Sequence, residues 1–313
     1  MTEKPICLIT GATEGVGRCT ALELARRGFT VVIAARNQRK AELVKAEIEA
    51  VTGGDVDYIV ADLASLKDVR QLAETFQGRY LRLDVLINNA GIFAPARRVT
   101  ADGFEASFQV NYLSHFLLTQ LLLDDLRSSP QGRIINLSSS VHTVGRFDPE
   151  NLQSEKKFSV LTTYSSTKLF LLLFTIELAK RLEGTRITAN AVHPGIARTQ
   201  MMLRAPGAFK FVSYLALPFS VSPERGAATS VHLASSPEVK QVSGKYFVNS
   251  KPTAFKTKFN TDRLRQLLWD MSAQSLKLAE RGPHAAVDAD RTLLSAWSQF
   301  DDHFEVTNSG GES

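Results

Sequence analysis

Short apolar runs alternate with amphipathic stretches along most of the chain. Residues 6–9 and 29–35 are apolar runs of strand length, and residues 18–25 between them have the period of an amphipathic helix. A strand, a helix and a second strand in this order form a parallel unit with a right-handed crossover. Because the alternation continues to about residue 192, the sequence predicts an α/β fold: a doubly wound parallel sheet of about seven strands with helices on both faces.

A glycine-rich turn joins the first strand to the first helix. Gly11, Gly15 and Gly17 follow the apolar run in the spacing G-x-x-x-G-x-G. Glycines let the backbone approach a ligand closely, and a helix N-terminus offers N–H groups and partial positive charge to a pyrophosphate. Such a turn can also be only a tight connection, so it predicts a dinucleotide site only in combination with other motifs.

Polar residues follow the later apolar runs. The third, fourth and fifth predicted strands end at Asp62, at Asn89 and at Ser139, and the sixth ends just before Pro194. Phosphate, ribose and substrate groups gather at the carboxyl ends of strands in doubly wound parallel sheets. The ordered clusters therefore predict a Rossmann-type catalytic domain with its site at one edge of the sheet.

Tyr164 and Lys168 are four residues apart, so they share one face of a predicted helix. Neither side chain ordinarily titrates near neutral pH, but a fixed positive charge lowers the pKa of a nearby phenol and makes it a usable acid or base. Taken alone, such a pair is more often a half-buried tyrosine beside a solvated lysine. The strand-end clusters favour the catalytic interpretation.

In combination these motifs resemble the short-chain dehydrogenase/reductase family, from about residue 5 to about residue 248. Residues 10–17, 88–91 and 194–199 are similar to its cofactor turn, its strand-four signature and its P-G-x-x-x-T loop. The separation of 25 residues between Ser139 and Tyr164 resembles the retinol-dehydrogenase-like branch. The resemblance implies an NAD(P)-dependent oxidoreductase with a catalytic tetrad, which consists of Asn111, Ser139, Tyr164 and Lys168.

Each member of the tetrad has a role that the resemblance implies and residue chemistry supports. In the reductive direction Tyr164 donates a proton to a carbonyl oxygen, and Ser139 holds that oxygen. Lys168 binds ribose hydroxyls, and Asn111 holds a water that links Lys168 to solvent. Strand alternation separates Ser139 from its two serine neighbours, and the family pattern selects Ser139. The expected cofactor-binding residues are Gly11, Thr13, Gly15, Val16, Gly17, Arg36, Asp62, Leu63, Asn89, Ala90, Gly91, Tyr164, Lys168, Pro194, Gly195, Ile196 and Thr199.

The residues after the second strand predict NADP(H), with NAD(H) as the alternative. An acid at this place accepts hydrogen bonds from a ribose 2′-OH, whereas an arginine accommodates a 2′-phosphate. The strand ends at Ala35 and is followed by Arg36. Glu14 argues for NAD(H) because its charge would repel a phosphate. We expect the contact of Arg36 with phosphate to outweigh this repulsion, since Glu14 can turn toward solvent.

The apolar segment 209–221 predicts a lid, around residues 200–222, over a lipophilic carbonyl or alcohol; a core-facing helix is the alternative. The segment is too short to cross a bilayer, which takes ~20 apolar residues, so no transmembrane segment is expected, while peripheral membrane contact is possible. The net charge of +5 is scattered among acids and forms no basic stripe with aromatics, so no nucleic-acid partner is expected.

Residues 1–280 are predicted to form one catalytic domain, and residues 281–313 a partly disordered C-terminal extension. Residues 169–178 continue the helix of Tyr164 and are apolar nearly all round, which predicts a homodimer through this helix unless the extension covers it. Two cysteines are too few for a disulfide framework or a metal site, so no metal is expected. With the first core strand starting close to Met1, a cytoplasmic location is the expectation.

Two other functions stay open from the sequence. The fold could carry another reaction, such as C=C reduction, dehydration or epimerisation. It could also be a catalytically silent scaffold or redox sensor that binds the cofactor. All four tetrad positions are filled, and a silent member has no chemical need for them.

Overall fold

The computed structural model describes residues 4–195, 221–255 and 257–278. Residues up to Ser272 belong to one compact unit, and Ala273–Ser313 form a second. The first unit contains an eight-stranded sheet in the order β3-β2-β1-β4-β5-β6-β7-β8, in which β1 to β7 pair in parallel and confirm the predicted doubly wound α/β fold. The strands are β1 Ile6–Thr10, β2 Thr30–Ala35, β3 Val56–Val60, β4 Val85–Asn88, β5 Arg133–Leu137, β6 Thr188–His193, β7 Tyr246–Val248 and β8 Lys251–Thr253.

Helices connect these strands on both faces of the sheet. Apolar residues of α1, α2 and α8 form a single buried cluster with alternate residues of the strands, so these three helices share one face. Side-chain caps begin several of the helices: Asn37 accepts the Lys40 N–H at the start of α2, and Ser222 accepts the Arg225 N–H at the start of α8. The regular helices are α1 Gly15–Arg26, α2 Gln38–Thr52, α3 Leu66–Arg79, α4 Ala106–Phe108, α5 Ser114–Leu121, α6 Leu123–Arg127, α7 Val160–Arg181, α8 Pro223–Ser235 and α9 Asp262–Ser275.

The helical segment that begins at Ala106 contains an irregular turn. Helix α4 leads into a π-helical turn, Gln109–Leu113, before α5 continues in the same direction. A π-helical turn inserts one extra residue into a helix and is frequent at functional sites. Asn111 lies within this turn and is fully buried. The irregularity therefore coincides with a predicted catalytic residue.

The eighth strand exceeds the predicted count of about seven. β8 pairs antiparallel with β7 through a tight turn in which Asn249 and Ser250 have φ of 50° and 61°. Two successive positive φ angles are typical of the hairpin turns that match strand twist. The three residues of β8 are exposed and include Pro252, which an edge strand tolerates. Since they show no apolar alternation, the sequence pattern did not indicate this strand.

Helix α9 covers the outer side of α7. The Trp269 ring lies 4.9 Å from the Phe116 ring and 5.8 Å from the Phe174 ring, measured between centroids. The guanidinium of Arg181 lies 4.1 Å from the Trp269 centroid. The apolar surface from which a homodimer was predicted is therefore buried by α9 within the chain. The alternative cover, residues 281–313, lies outside the described residues.

Candidate active site

The glycine-rich turn packs tightly against the end of β4. Gly11 and Gly15 have φ of +68° and +57°, in the left-handed region that favours glycine. A Cβ on Gly17 would lie 2.5 Å from both the Asn89 Nδ2 and the Gly11 carbonyl oxygen. No side chain larger than hydrogen fits there without a shift of the backbone. The turn is thus a close-approach cradle, as the sequence predicted.

Thr10 ties this cradle to the following strand. Its Oγ1 accepts hydrogen bonds from the Asn89 N–H and the Ala90 N–H, each at 3.0 Å. In return, the Asn89 Nδ2 donates to the carbonyl oxygens of Thr10 at 2.7 Å and Gly11 at 3.0 Å. Thr10 was not among the residues predicted to bind the cofactor. Its position, immediately before the first glycine at a strand end, was the available signal.

The start of α1 can receive a pyrophosphate. The N-cap residue Glu14 makes no side-chain cap hydrogen bond, unlike the caps of α2 and α8. The N–H groups of the first turn, from Gly15 to Gly17 and including Val16, are therefore left for a ligand of negative charge. Thr13 is half-buried in the same turn. Together with the glycine cradle, these residues fit the diphosphate of a dinucleotide.

The ends of β2 and β3 complete the cofactor side. Arg36 is exposed immediately after β2. The Glu14 carboxylate, which was expected to disfavour a 2′-phosphate, lies 3.7 Å from the Lys40 Nζ. β3 ends at Val60, before the predicted Asp62, whose Oδ1 accepts the Ala64 N–H at 2.9 Å. Leu63 is buried next to it.

Asn111 joins the end of β4 to α7. Its Oδ1 accepts the Ile92 N–H at 2.7 Å, and its Nδ2 donates to the Ile92 carbonyl at 3.0 Å and to the Thr167 Oγ1 at 3.2 Å. A Cβ on Gly91 would lie 3.4 Å from the Asn111 Oδ1 and 3.5 Å from the Lys168 Nζ. The structure thus brings Gly91, Asn111 and Lys168 together. Both polar atoms of the Asn111 amide are thus hydrogen-bonded to the protein.

Lys168 and Tyr164 share one face of α7, as predicted. The Lys168 Nζ is buried, donates to the Leu137 carbonyl at 2.8 Å and lies 5.6 Å from the centroid of the Tyr164 ring. Burial lowers the pKa of Lys168 to about 8 and raises the pKa of Tyr164 to about 12. The expected lowering of the tyrosine pKa is therefore not found in the protein by itself, because loss of hydration disfavours the phenolate.

Ser139 lies just beyond β5 rather than within it. β5 ends at Leu137, and Ser139 is the N-cap of a 3₁₀ helix, Ser140–Val144. The three serines follow the strand, so the alternation of side chains along a strand does not separate Ser139 from its neighbours. Ser138 is nevertheless directed elsewhere, since its buried hydroxyl donates to the Lys168 carbonyl at 2.8 Å. Ser139, half-buried at the sheet edge, remains the serine selected by the family pattern.

Two histidines shape the turn around Ser139. The His142 Nδ1 donates to the Ser139 carbonyl at 2.6 Å, and the His193 Nδ1 accepts the Ser140 N–H at 3.2 Å. Burial lowers the pKa of both rings, that of His193 to about 4, so both are neutral at physiological pH. Both rings thus have a structural role in this turn.

The end of β6 approaches the start of the next described segment. Gly195 has φ +79°, and a Cβ on it would lie 2.8 Å from the Val221 Cγ2. Pro194 is half-buried beside it. Ile196, Thr199 and nearly all of the predicted lid lie outside the described residues. None of the described helices is long and apolar enough to cross a membrane.

The Phe93 ring was not anticipated at the site. Its centroid lies 5.2 Å from the centroid of the Tyr164 ring. It follows the strand-four signature by two residues, so its proximity in sequence to Gly91 was the available signal. The ring supplies an apolar wall beside the predicted acid/base.

Comparison with known proteins agrees with this geometry. The family model described as short chain dehydrogenase matches residues 5–206. Retinol dehydrogenase 14 of Mus musculus is 43% identical over 282 residues, 85% of this chain and 84% of the relative. An uncharacterized protein of Mycobacterium paratuberculosis, with a TM-score of 0.71, is 32% identical and covers 87% of this chain and 93% of its own. A short chain dehydrogenase of Escherichia coli CFT073 complexed with NADPH has a TM-score of 0.62 and 26% identity, over 79% of this chain and 97% of its own.

Proposed function

Because the chain belongs to the short-chain dehydrogenase family, as an NAD(P)-dependent oxidoreductase similar to retinol dehydrogenases, we propose that it interconverts a lipophilic carbonyl and its alcohol with NADP(H). Tyr164 is the acid/base of this reaction. The observation that carries the proposal is the position of the Lys168 ammonium, 5.6 Å from the Tyr164 ring, at the sheet edge that also holds the glycine cradle. A bound nicotinamide would supply or accept the hydride.

The protein's own side chains handle the proton and the reacting oxygen. With its pKa raised to about 12, Tyr164 is protonated at neutral pH, which is the form that donates to a carbonyl oxygen. The Ser139 hydroxyl donates a hydrogen bond to the same oxygen. One of the three N–H donors of Lys168 is used by the Leu137 carbonyl, and we assign the other two to ribose hydroxyls and water. Alcohol oxidation uses the same groups in reverse.

A cluster of cations supports the preference for NADP(H). Arg36 is the first residue after β2, and Lys40 lies one turn further, in α2. The ion pair of Lys40 with Glu14 offsets the carboxylate that would repel a 2′-phosphate. Arg36 and Lys40 would then both face the phosphate, Arg36 with its planar fork and Lys40 as a point charge. NAD(H) remains the alternative, and direct titration distinguishes the two.

Exposed apolar side chains near the tetrad support a lipophilic substrate. Val144 ends the 3₁₀ helix that begins after Ser139 and is 54% exposed. Leu161 lies one turn before Tyr164 on α7 and is 38% exposed. With Phe93, they offer apolar surface whose burial by a ligand contributes ~25 cal/mol per Å². The lid around residues 200–222 would add to this surface and remains a proposal.

A substrate panel with purified protein tests the function. We expect oxidation of NADPH with retinaldehyde and with long-chain aldehydes, at a kcat/KM that rises with chain length or ring number. A clear preference for sugars or small hydroxy acids would reject the lipophilic substrate. Reduction of enones at the C=C bond, or binding of NADPH without any turnover, would replace the proposal by the other reaction types or by the silent scaffold.

Association and location also remain proposals. We keep the homodimer as a proposal, but place its contact on a surface other than the α7 face that α9 covers. A cytoplasmic location with peripheral membrane contact, and the lack of a nucleic-acid partner, stay predictions from the sequence. Fractionation of cells that express the full chain tests the location.

A further inference from the structure

A buried histidine lies between the cofactor cradle and the catalytic tetrad. His115, on α5, is fully buried. Its Nε2 lies 3.1 Å from the Thr10 Oγ1, at the end of β1. Its Nδ1 lies 3.1 Å from the carbonyl oxygen of Asn111, in the π-helical turn. One ring therefore contacts both halves of the site, and neither the motifs nor the proposed reaction assigns it a role.

The hydrogen-bond partners determine which ring nitrogen carries the proton. The Asn111 carbonyl can only accept, so the His115 Nδ1 donates to it. The two lone pairs of the Thr10 hydroxyl receive the Asn89 and Ala90 N–H groups, so its proton is free to donate. The His115 Nε2, at 3.1 Å, is the nearer acceptor, and the Ile87 carbonyl, at 3.5 Å, is the more distant one, so we assign the proton to the His115 Nε2. Burial lowers the pKa of His115 to about 3, and the nearby Lys168 charge acts in the same direction. The ring is therefore neutral, in the Nδ1–H form, and held at both ends.

The contact of the His115 Nδ1 acts on the main-chain carbonyl of Asn111, whereas the side-chain amide of Asn111 has other partners. The Asn111 amide binds Ile92 and Thr167, which anchors the residue. One lone pair of its carbonyl accepts the His115 Nδ1–H. This hydrogen bond restrains the direction of the Asn111 carbonyl, and with it the water that Asn111 is expected to hold between Lys168 and solvent.

We propose that His115 is a positioning residue. Its contact with Thr10 fixes the position of the cofactor cradle, and its Nδ1–H orients the Asn111 carbonyl toward the proton path of Lys168. Asn111 and His115 are four residues apart, across the junction of the π-helical turn and α5, so they lie on one face of the helix. The role rests on the proposed function, because the proton path serves Tyr164 turnover.

Three substitutions separate the two contacts. In His115→Asn the amide nitrogen replaces Nδ1 and keeps the donor to Asn111, whereas in His115→Gln the longer side chain reaches Thr10 alone. His115→Leu removes both. With retinaldehyde and NADPH, we expect kcat within about threefold of wild type for the Asn variant and roughly tenfold lower for the Gln and Leu variants, the factor typical of one hydrogen bond. KM and the Kd of NADPH should stay nearly constant in the Gln variant, which keeps the Thr10 contact.

A matched control removes buried hydrogen bonds from the same helix without touching the His115 ring. The Thr119 Oγ1 accepts from the Asn88 Nδ2 at 3.0 Å and donates to the His115 carbonyl at 2.7 Å. Thr119→Val should lower Tm but leave kcat unchanged. If Thr119→Val loses kcat in proportion to Tm, or if the Asn variant loses as much kcat as the Gln variant, His115 is only a structural residue and the proposal is overturned.

A spectroscopic readout does not depend on the substrate. Nitrogen-15 NMR of the labelled full chain should show an imidazole in the Nδ1–H form that does not titrate between about pH 5 and 9 and whose signal disappears in His115→Asn; this loss distinguishes His115 from His142, whose Nδ1 also carries a proton. An ordinary titration, or an Nε2–H form, would overturn the proposal even if turnover is normal. If wild type turns over no carbonyl while the signal is as expected, it is the proposed function that fails and not the His115 bridge.

Discussion

The ammonium of Lys168 lies 5.6 Å from the centroid of the Tyr164 ring and donates to the Leu137 carbonyl at 2.8 Å. It is thus anchored to the end of β5 rather than to the phenol. At this distance its charge does not offset the burial that raises the pKa of Tyr164 to about 12. In the protein by itself the pair is a protonated phenol next to a buried ammonium, which is the form suited to reduction.

Removal of the Tyr164 hydroxyl should abolish most of the turnover. Tyr164→Phe keeps the ring against Phe93 but removes the proton, so we expect kcat to fall ~10²–10⁴-fold while NADPH binding is kept. Stopped-flow kinetics and a fluorescence titration measure the two effects. Tyr80→Phe, which removes a hydroxyl bonded to Asp57, is the control and should leave kcat unchanged. Near-normal turnover of Tyr164→Phe would reject the assignment.

The buried lysine should make stability depend on pH. Burial holds the pKa of Lys168 in the folded protein at about 8, below its value in the unfolded chain. Above pH 8 the unfolded chain therefore binds the proton more strongly, so the free energy of unfolding rises with pH. Between about pH 8 and 10 the free energy of unfolding of wild type should rise by about 2 kcal/mol relative to that of Lys168→Met, at ~1.4 kcal/mol per pH unit. Urea denaturation at several pH values measures this. Parallel pH profiles of the two proteins would contradict a buried, charged Lys168.

Gly17 should tolerate no side chain. In Gly17→Ala the added Cβ would lie 2.5 Å from the Asn89 Nδ2 and from the Gly11 carbonyl, so we expect loss of NADPH affinity together with a lower Tm. Gly78, in α3, has nothing within 4 Å of the same probe position. Gly78→Ala should raise stability by about 0.5–1 kcal/mol through helix propensity and leave NADPH binding intact. Full NADPH affinity in Gly17→Ala would show that the cradle is not the pyrophosphate site.

We expect Arg36 to bind the 2′-phosphate of NADPH. Arg36→Ala should raise the Kd of NADPH by roughly 10–150-fold, the range of one charge-assisted hydrogen bond, with little change for NADH. Lys40→Ala should give a smaller loss of NADPH affinity than Arg36→Ala, because it removes a point charge rather than a planar fork. Part of this loss comes from the Glu14 carboxylate, which is no longer paired with Lys40. Arg26→Ala, at the far end of α1, controls for net charge. Equal affinities of wild type for the two cofactors, or a preference unaffected by Arg36→Ala, would contradict the assignment.

Helix α9 should shield an associative surface. Trp269→Ala removes the ring that packs on Phe116 and Phe174, so we expect the free energy of unfolding to fall by about 3–5 kcal/mol and the sedimentation coefficient at micromolar concentration to rise relative to wild type. Leu81→Ala, at a side chain that is 95% exposed, should change neither quantity. A less stable Trp269→Ala with unchanged sedimentation would show that the surface does not associate.

Much of the fold and the cofactor side could be predicted because the relevant signals are local. Apolar periodicity indicated β1 to β6, and since parallel strands end at one edge, the polar clusters after them had to meet. β8 carried no such signal, as three exposed residues with a proline pair only because β7 lies beside them. Asp62 and Ser139 were placed in strands that end two residues earlier, at Val60 and Leu137, because polar residues at strand ends do not mark where pairing stops.

The sequence by itself determined the family and the sheet and predicted the tetrad, because these follow from short-range patterns. Only the tertiary structure decided what surrounds those residues. Thr10 and His115 are 105 residues apart and share a hydrogen bond, and Tyr112 and Ser272 are 160 apart and share another. Burial, and with it the direction of each pKa shift, depends on such contacts between distant segments, which no local pattern specifies.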